Sequence, residues 1–447
     1  MRIKSGFSRK NVTPKLGVPI SGYYEARFAK EILDDLYVNA TAFDDDSSKA
    51  IIVNADSLMF SKNQSDEIRS EIAAACGIPV SAVFLGCSHT HTAPMYGPDF
   101  ASSLKGDEEY ELLLKKSLCE VSKEALADCK PAVLSTANGT AENISFVRRF
   151  RMKDGGVQTN PGVGNTNIDY PLGQVNNEVK LLKIERENAD DIYIVNFGTH
   201  PDSIGGEVIS GDYPAFVRDT VEKALDGVKC MFITGAQGDV NHINPLPTEA
   251  DRCGLCYDSF DGVPRGYEHS KHMGRVIAGA VLQICGKTRR LTSDTIAYAS
   301  QLVTLPSNMD NSRLDEANHI VKLHTDGKDD EIGYTGMELT TVVAEATRIV
   351  ALQNGPESYD FELTALKIGD VAFAGLPGEP FVEIGRKISE ASPFAETFVC
   401  CLTNGGDSYF PTSSAYDEGG YEARSSHLKK GGDKILIDGM TQLLSSL

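Results

Sequence analysis

Two histidines separated by one residue, His89 and His91, stand in the run Cys87-Ser88-His89-Thr90-His91-Thr92. Imidazole is a common ligand for divalent metals and the side chain that exchanges its proton near neutral pH. The run follows Ala82-Val83-Phe84-Leu85-Gly86, an apolar stretch that reads as a buried strand. In extended backbone, residues i and i+2 point to the same side. The pair can therefore close on one metal ion, or one histidine can bind metal while the other moves protons. Two hydrogen-bonded loop histidines would look the same in isolation.

Three further apolar runs end in residues of related chemistry. Ile192 to Phe197 leads into Gly198-Thr199-His200-Pro201, and Val371 to Gly375 leads into Leu376-Pro377-Gly378-Glu379. Phe398 to Leu402 leads through Asn404-Gly405-Gly406-Asp407-Ser408 to Tyr409. Four strand ends thus present His, His, Glu and Tyr. In open α/β sheets the ligand crevice lies at the carboxyl ends of the strands. Glu379 alone reads equally well as a first-turn helix charge. Two histidines and a carboxylate with one open position make a hydrolytic zinc site, which activates water and polarises a carbonyl.

The elements that must hold these residues alternate along the chain. Lys49 to Asn54 reads as a strand, Gln64 to Cys76 as a helix, and Tyr213 to Leu225 as a helix before the strand Cys230 to Thr234. Apolar residues from Met273 to Ile284 follow helical spacing within His269 to Cys285, and Lys434 to Leu444 reads as a closing helix. Phe361 to Leu366, Val371 to Gly375 and Thr397 to Leu402 form a last set of strands. The expected fold is α/β, with mixed β-sheets flanked by helices and the active site at the C-terminal ends of strands. No linker or repeat divides residues 1–447, so a single domain is expected. The more polar helical stretch at about 314–350 reads as a peripheral subregion or lid.

Composition narrows the partners. A net charge of −20 over 447 residues excludes a nucleic-acid backbone or an anionic membrane as the natural partner. A small-molecule substrate is expected instead. Trp is absent, so no Trp platform for sugar stacking exists. No apolar segment follows the basic residues at the N-terminus and no run spans a bilayer, which makes the expected location cytoplasmic. Ten cysteines then read as reduced structural thiols; Cys253 and Cys256 form a CxxC without a second one to complete a zinc site. His269 and His272, three apart on a helix, read as a second metal pair or as one packed and one exposed histidine. His319, His324 and His427 read as surface residues. Asp239 orients a histidine or forms a turn, and Gly235-x-x-Gly238 lacks the lysine of a phosphate loop.

Several motifs in order resemble the neutral/alkaline (non-lysosomal) ceramidase family of zinc amidases. They are Ser88-His89-Thr90-His91-Thr92-Ala93-Pro94, Thr199-His200-Pro201 with Ser210-Gly211-Asp212-Tyr213, and Gly235-Ala236-Gln237-Gly238-Asp239-Val240-Asn241. Leu376-Pro377-Gly378-Glu379-Pro380 and Gly419-Gly420-Tyr421-Glu422 complete the set, so the likeness runs from roughly Phe7 to Ser426. The resemblance implies that His89, His200, Glu379 and Tyr409 hold zinc, Tyr409 being chosen by its spacing from Tyr421. It implies that His91 is an acid/base group, that Tyr421 donates to a developing oxyanion, and that Arg148 contacts substrate, with Arg149 as the competing choice. Asn241 stands where the family's ceramidases usually carry Ser, and the family's C-terminal β-sandwich is not expected here.

The implied reaction is attack of metal-activated water on an acyl carbonyl. A zinc-dependent amidase acting on a small N-acylated substrate is the leading expectation. An esterase, a lactonase or a glycoside-cleaving enzyme on the same scaffold is the alternative, and a non-catalytic metal or ligand-binding protein the third reading.

Overall fold

The computed structural model describes residues 3–98, 104–247, 266–406 and 408–447. Its apolar runs become two large sheets. The first half contributes β1 (Lys4–Asn11), β2 (Tyr37–Asp44), β3 (Lys49–Ala55), α1 (Lys62–Cys76), β4 (Val83–Cys87) and α2 (Glu108–Ala127). Then come β5 (Lys130–Thr140), β6 (Glu178–Arg186), β7 (Asp191–Phe197), α3 (Asp212–Ala224), β8 (Val228–Thr234), α4 (Tyr267–Ile284) and β9 (Arg289–Arg290). The second half contributes β10 (Ile296–Pro306), α5 (Leu314–Thr325), α6 (Gly336–Leu352), β11 (Ser358–Ile368) and β12 (Val371–Gly375). It ends with α7 (Val382–Ala391), β13 (Glu396–Cys400), α8 (Tyr421–Ser425) and α9 (Gly432–Ser445).

The larger sheet has nine strands in the order β8-β7-β6-β5-β1-β2-β3-β4, with β9 beside β5. The smaller has the order β10-β11-β12-β13. Pairs β3/β4, β7/β8 and β12/β13 are parallel, and these are the strands that deliver the expected site residues. The remaining neighbours in both sheets are antiparallel, so both sheets are mixed.

Alternation within the strands explains the layering. Ile52 and Phe84 face inward and meet Leu366, Phe373 and Phe398 of the smaller sheet. Their neighbours Val53 and Leu85 face outward and are covered by Ile68 and Ile72 of α1 and Leu114 and Leu118 of α2. Helices α3 and α4 cover the other half of the larger sheet through Val217, Val221, Met273 and Ile277. Ile384 and Ile388 of α7, with Leu436 and Met440 of α9, close the smaller sheet. Strand β4 is buried on both faces, as parallel strands between layers usually are.

The larger sheet curls until its two ends touch, although β8 and β4 lie at opposite ends of the strand order. Asn54 Nδ2 donates to the Phe232 carbonyl at 2.9 Å, and Thr234 Oγ1 donates to the Ser88 carbonyl at 3.0 Å. Asn196 Nδ2 ties the same region to the smaller sheet, reaching the Ile233 and Val399 carbonyls at 3.0 and 3.2 Å.

Most expected elements are present, with bounds shifted by a few residues. The polar stretch at about 314–350 is a hairpin, α5 and α6, with a short 3₁₀ turn at Asp329–Glu331 between them. Strands β1, β2, β5, β6, β9 and β10 and helix α2 were not expected; α2 starts where Asp107 accepts the Tyr110 N–H at 2.9 Å. Eight described cysteines are free thiols, and the CxxC at Cys253 and Cys256 lies outside the described residues. Among the described residues no helix is long and apolar enough to cross a membrane.

Candidate metal centre

Strand β4 ends at Cys87, so His89 and His91 are not in extended backbone. His89 adopts φ of 69°, a left-handed conformation that costs a non-glycine residue energy and needs support from its surroundings. The convergence of the two rings therefore has a different cause from strand alternation: a sharp turn, pinned by its own polar groups. The His89 N–H donates to the Ser57 carbonyl at 2.9 Å, and the His91 N–H to the Pro201 carbonyl at 3.3 Å. Thr90 Oγ1 and Thr92 Oγ1 donate to the Ser210 carbonyl at 2.7 and 3.0 Å. Arg27 Nη2 grips the His91 carbonyl at 2.9 Å.

His200 leaves β7 through Gly198 and Thr199, and its N–H donates to the Val240 carbonyl at 3.3 Å. Glu379 leaves β12, pairs with Tyr409 in a short parallel bridge, and donates its N–H to the Ser408 carbonyl at 2.9 Å. Gly238 packs against this turn: a Cβ there would stand 2.6 Å from the Glu379 carbonyl oxygen. Only glycine leaves room for that approach.

The side chains then meet. His89 Nε2 lies 3.2 Å from His200 Nε2 and 3.3 Å from Glu379 Oε2, and His200 Nε2 lies 3.7 Å from the same oxygen. The rings of His89, His91 and His200 sit with centroids 4.7–5.2 Å apart. His89 Nδ1 donates to the Leu58 carbonyl at 2.8 Å. A carbonyl only accepts, so Nδ1 carries a proton and Nε2 is the ring nitrogen turned to the cluster. His91 Nδ1 is held the same way by the Gly22 carbonyl at 3.1 Å, with Asp202 Oδ1 at 3.8 Å. Asp202 in turn accepts the Tyr23 hydroxyl. Burial, then the charges of Arg148, His89 and His91, push the His200 pKa well below its ordinary value, against a weaker pull from the Gln237 backbone. His200 is thus neutral, the form that coordinates.

Glu379 Oε2 is buried and accepts no hydrogen bond. A carboxylate oxygen in that position, beside the Nε2 atoms of His89 and His200, is matched by a cation. His, His and Glu are donors suited to zinc-like divalent ions. The three histidines also have ligand atoms within 4.8 Å of one another, so the group can hold a metal ion.

The tyrosines form the opposite wall. The Tyr409 ring stacks near His200 at 6.5 Å and meets Tyr421 edge-on at 5.7 Å. Burial raises both phenols well above their ordinary pKa; Arg148 works in the opposite direction on each. Arg148 and Arg149 split apart. The Arg148 guanidinium lies 5.6 Å over the Tyr409 ring, while Nε donates to Glu422 at 2.6 Å and Nη2 to the Gly238 carbonyl at 2.7 Å. Arg149 turns to Glu418 and the Gly419 carbonyl, 3.0 and 2.9 Å away.

Other expectations resolve differently. Asp239 orients no histidine; its Oδ1 accepts the Val382 N–H at 2.8 Å at the start of α7, and burial lifts its carboxyl to about 7. His269 is buried and His272 half-buried, stacked at 6.1 Å, with His242 at 5.7 Å from His269. His319 is exposed, whereas His324 bonds Asp329 at 2.8 Å and the Tyr24 carbonyl at 3.3 Å. His427 is half-buried rather than exposed: it packs on Tyr359, and burial lowers its pKa. Asn241 is fully buried and donates to Asn160 at 2.9 Å. Glu422, which nothing in the sequence singled out beyond its place after Tyr421, accepts the Arg148 bond with no exposed surface.

Fold and site together define a mixed α/β protein with a buried histidine group able to hold a metal. That fold is the one seen in ceramidases. The crystal structure of neutral ceramidase from Pseudomonas aeruginosa superposes with a TM-score of 0.72 at 17% identity, over 100% of this chain and 75% of that one. A ceramidase complexed with C2 gives 0.73 at 16% identity, with the same coverage. No protein-family model and no curated protein matches the sequence.

Proposed function

We propose that the chain is a metal-dependent hydrolase, with zinc the expected ion, that cleaves the amide bond of a small N-acylated substrate. The observation that carries the reading is Glu379 Oε2, buried and without a hydrogen bond, 3.3 Å from His89 Nε2 on a fold shared with ceramidases. His89, His200 and Glu379 would hold the ion, with Tyr409 as fourth donor. A divalent ion bound there activates water and polarises an acyl carbonyl. His91, whose Nδ1 donates to the Gly22 carbonyl, would take a proton and return it to the leaving nitrogen. Tyr421 keeps its phenolic proton at neutral pH and donates it towards the developing oxyanion. Arg148 holds Tyr409 and offers its positive charge at the substrate side of the ring.

The close grouping of all three imidazoles favours a second ligand set, in which His91 binds the ion as well. Metal analysis of purified His91→Gln decides between them: retained metal with lost turnover supports the proton role, and lost metal supports ligation. A panel of N-acyl and O-acyl compounds tests the reaction itself. Preference for N-acyl compounds supports the amidase; preference for O-acyl compounds makes it an esterase. No turnover by metal-loaded protein, or full metal retention in His89→Ala and His200→Ala, would overturn the proposal.

A further inference from the structure

Helix α8 is five residues long, far too short to hold its shape alone. It nevertheless carries Tyr421 into the centre. Its position must come from side-chain anchors, among them two of its own residues, Arg424 and Glu422. Arg424 faces outward and pairs with Glu338 and Glu345 of α6 at 3.0 and 2.8 Å. Glu422 faces inward, fully buried, and is shared by three partners. Oε1 accepts Arg148 Nε at 2.6 Å, Oε2 accepts Thr159 Oγ1 at 3.0 Å, and Arg149 Nε stands 3.8 Å from Oε2. Thr159 Oγ1 accepts the Tyr421 N–H at 3.1 Å. Arg148 is the residue whose guanidinium lies over the Tyr409 ring, 5.6 Å from its centroid.

We propose that Glu422 is a positioning residue that sets both tyrosines of the centre, Tyr409 through Arg148 and Tyr421 through Thr159. A charge-assisted bond to Arg148 fixes the guanidinium plane, and the Thr159 hydroxyl, oriented by donating to the carboxylate, turns a lone pair to the Tyr421 amide. The proposal rests on the metal-hydrolase reading for its consequence and on the hydrogen bonds alone for its geometry. It assigns Glu422 no contact with substrate.

The test uses the full chain and three readouts in Glu422→Gln and Thr159→Val. In Glu422→Gln, amide hydrogen exchange at Tyr421 quickens about tenfold while the buried strands keep their protection. Zinc affinity, read by competition with a chromophoric chelator, weakens about tenfold, the scale of outer-shell losses at metal sites. Turnover falls about 30-fold, and in a Tyr421→Phe background the same change costs less than threefold, because coupled residues are not additive. Thr159→Val leaves the Arg148 bond intact, so it quickens exchange at Tyr421 without altering zinc affinity, and it decides the matter should Glu422→Gln fail to fold. Unchanged exchange and affinity in Glu422→Gln, or unchanged exchange in a folded Thr159→Val, would overturn the positioning role. Wild-type protein that binds no zinc and turns nothing over, yet shows the exchange changes, overturns the proposed function and leaves the positioning role standing.

Discussion

On one side of the centre, His89, His91 and His200 are fixed by backbone. Each follows a buried strand, and carbonyls of Ser57, Leu58, Gly22, Pro201 and Val240 take their N–H groups. On the other side, Tyr409 and Tyr421 sit on a two-residue strand and a five-residue helix, and side chains hold them: Arg148, Glu422 and Thr159. Backbone anchoring tolerates a change of neighbouring side chain, because the carbonyl remains. Side-chain anchoring concentrates the geometry in few residues. The histidine wall is the more robust half, and the tyrosine wall the more easily detuned.

His200→Ala should produce the largest effect on that contrast. Bound zinc falls from near one equivalent to a trace, by elemental analysis, while the fold keeps its melting transition because the backbone anchors survive. Retained zinc would move the ligand set onto the other residues. The histidine side also rests on a buried ion pair, Asp56 and Arg218 at 2.7 and 2.6 Å, beneath the Ser57 segment. Removing one partner of such a pair leaves an uncompensated charge, so Arg218→Met should cost about 3–5 kcal/mol in denaturant unfolding. A loss below 1 kcal/mol would weaken the account of that wall.

Tyr421→Phe sharpens the comparison from the other side. Turnover should drop about 100-fold with metal content unchanged, the size expected for one lost oxyanion donor. Equal loss of metal would mean that Tyr421 holds the ion. The smallest effect concerns Asp34, which accepts Ser210 and Gly211 behind the histidine loop and whose carboxyl is lifted to about 7, mainly by burial. The folded pKa is raised above the unfolded value, so folding takes up a proton between them. The stability this supplies is complete below pH about 4 and is lost as pH rises through 7. Asp34→Asn should flatten that slope in chemical unfolding from pH 5 to 8, and an unchanged slope would assign it elsewhere.

The two walls also differ in how far they could be read from sequence. Apolar runs before His89, His200, Glu379 and Tyr409 announced their strands, since burial on both faces forces continuous hydrophobic stretches. That all four ends meet follows from the curl of the larger sheet and the packing of the smaller one against it, which no local pattern encodes. Strands β1, β2 and β5 mix polar and small residues and escaped notice. Glu422 was in view beside Tyr421, yet a glutamate reads as surface until the facing pair Arg148 and Arg149 is known to be buried. Carbonyl acceptors such as Leu58 have no signature at all, because every residue carries one.

The left-handed backbone of His89 bears on the order of events during biosynthesis. A nascent peptide visits that conformation seldom, and the groups its ring meets, His200 and Glu379, come from distant parts of the sequence. Unlike a zinc finger, which collapses around its ion, this polypeptide should finish folding empty and acquire its metal afterwards. A chelator should then yield a folded, inactive apoprotein that regains activity on metal addition within the time of simple binding.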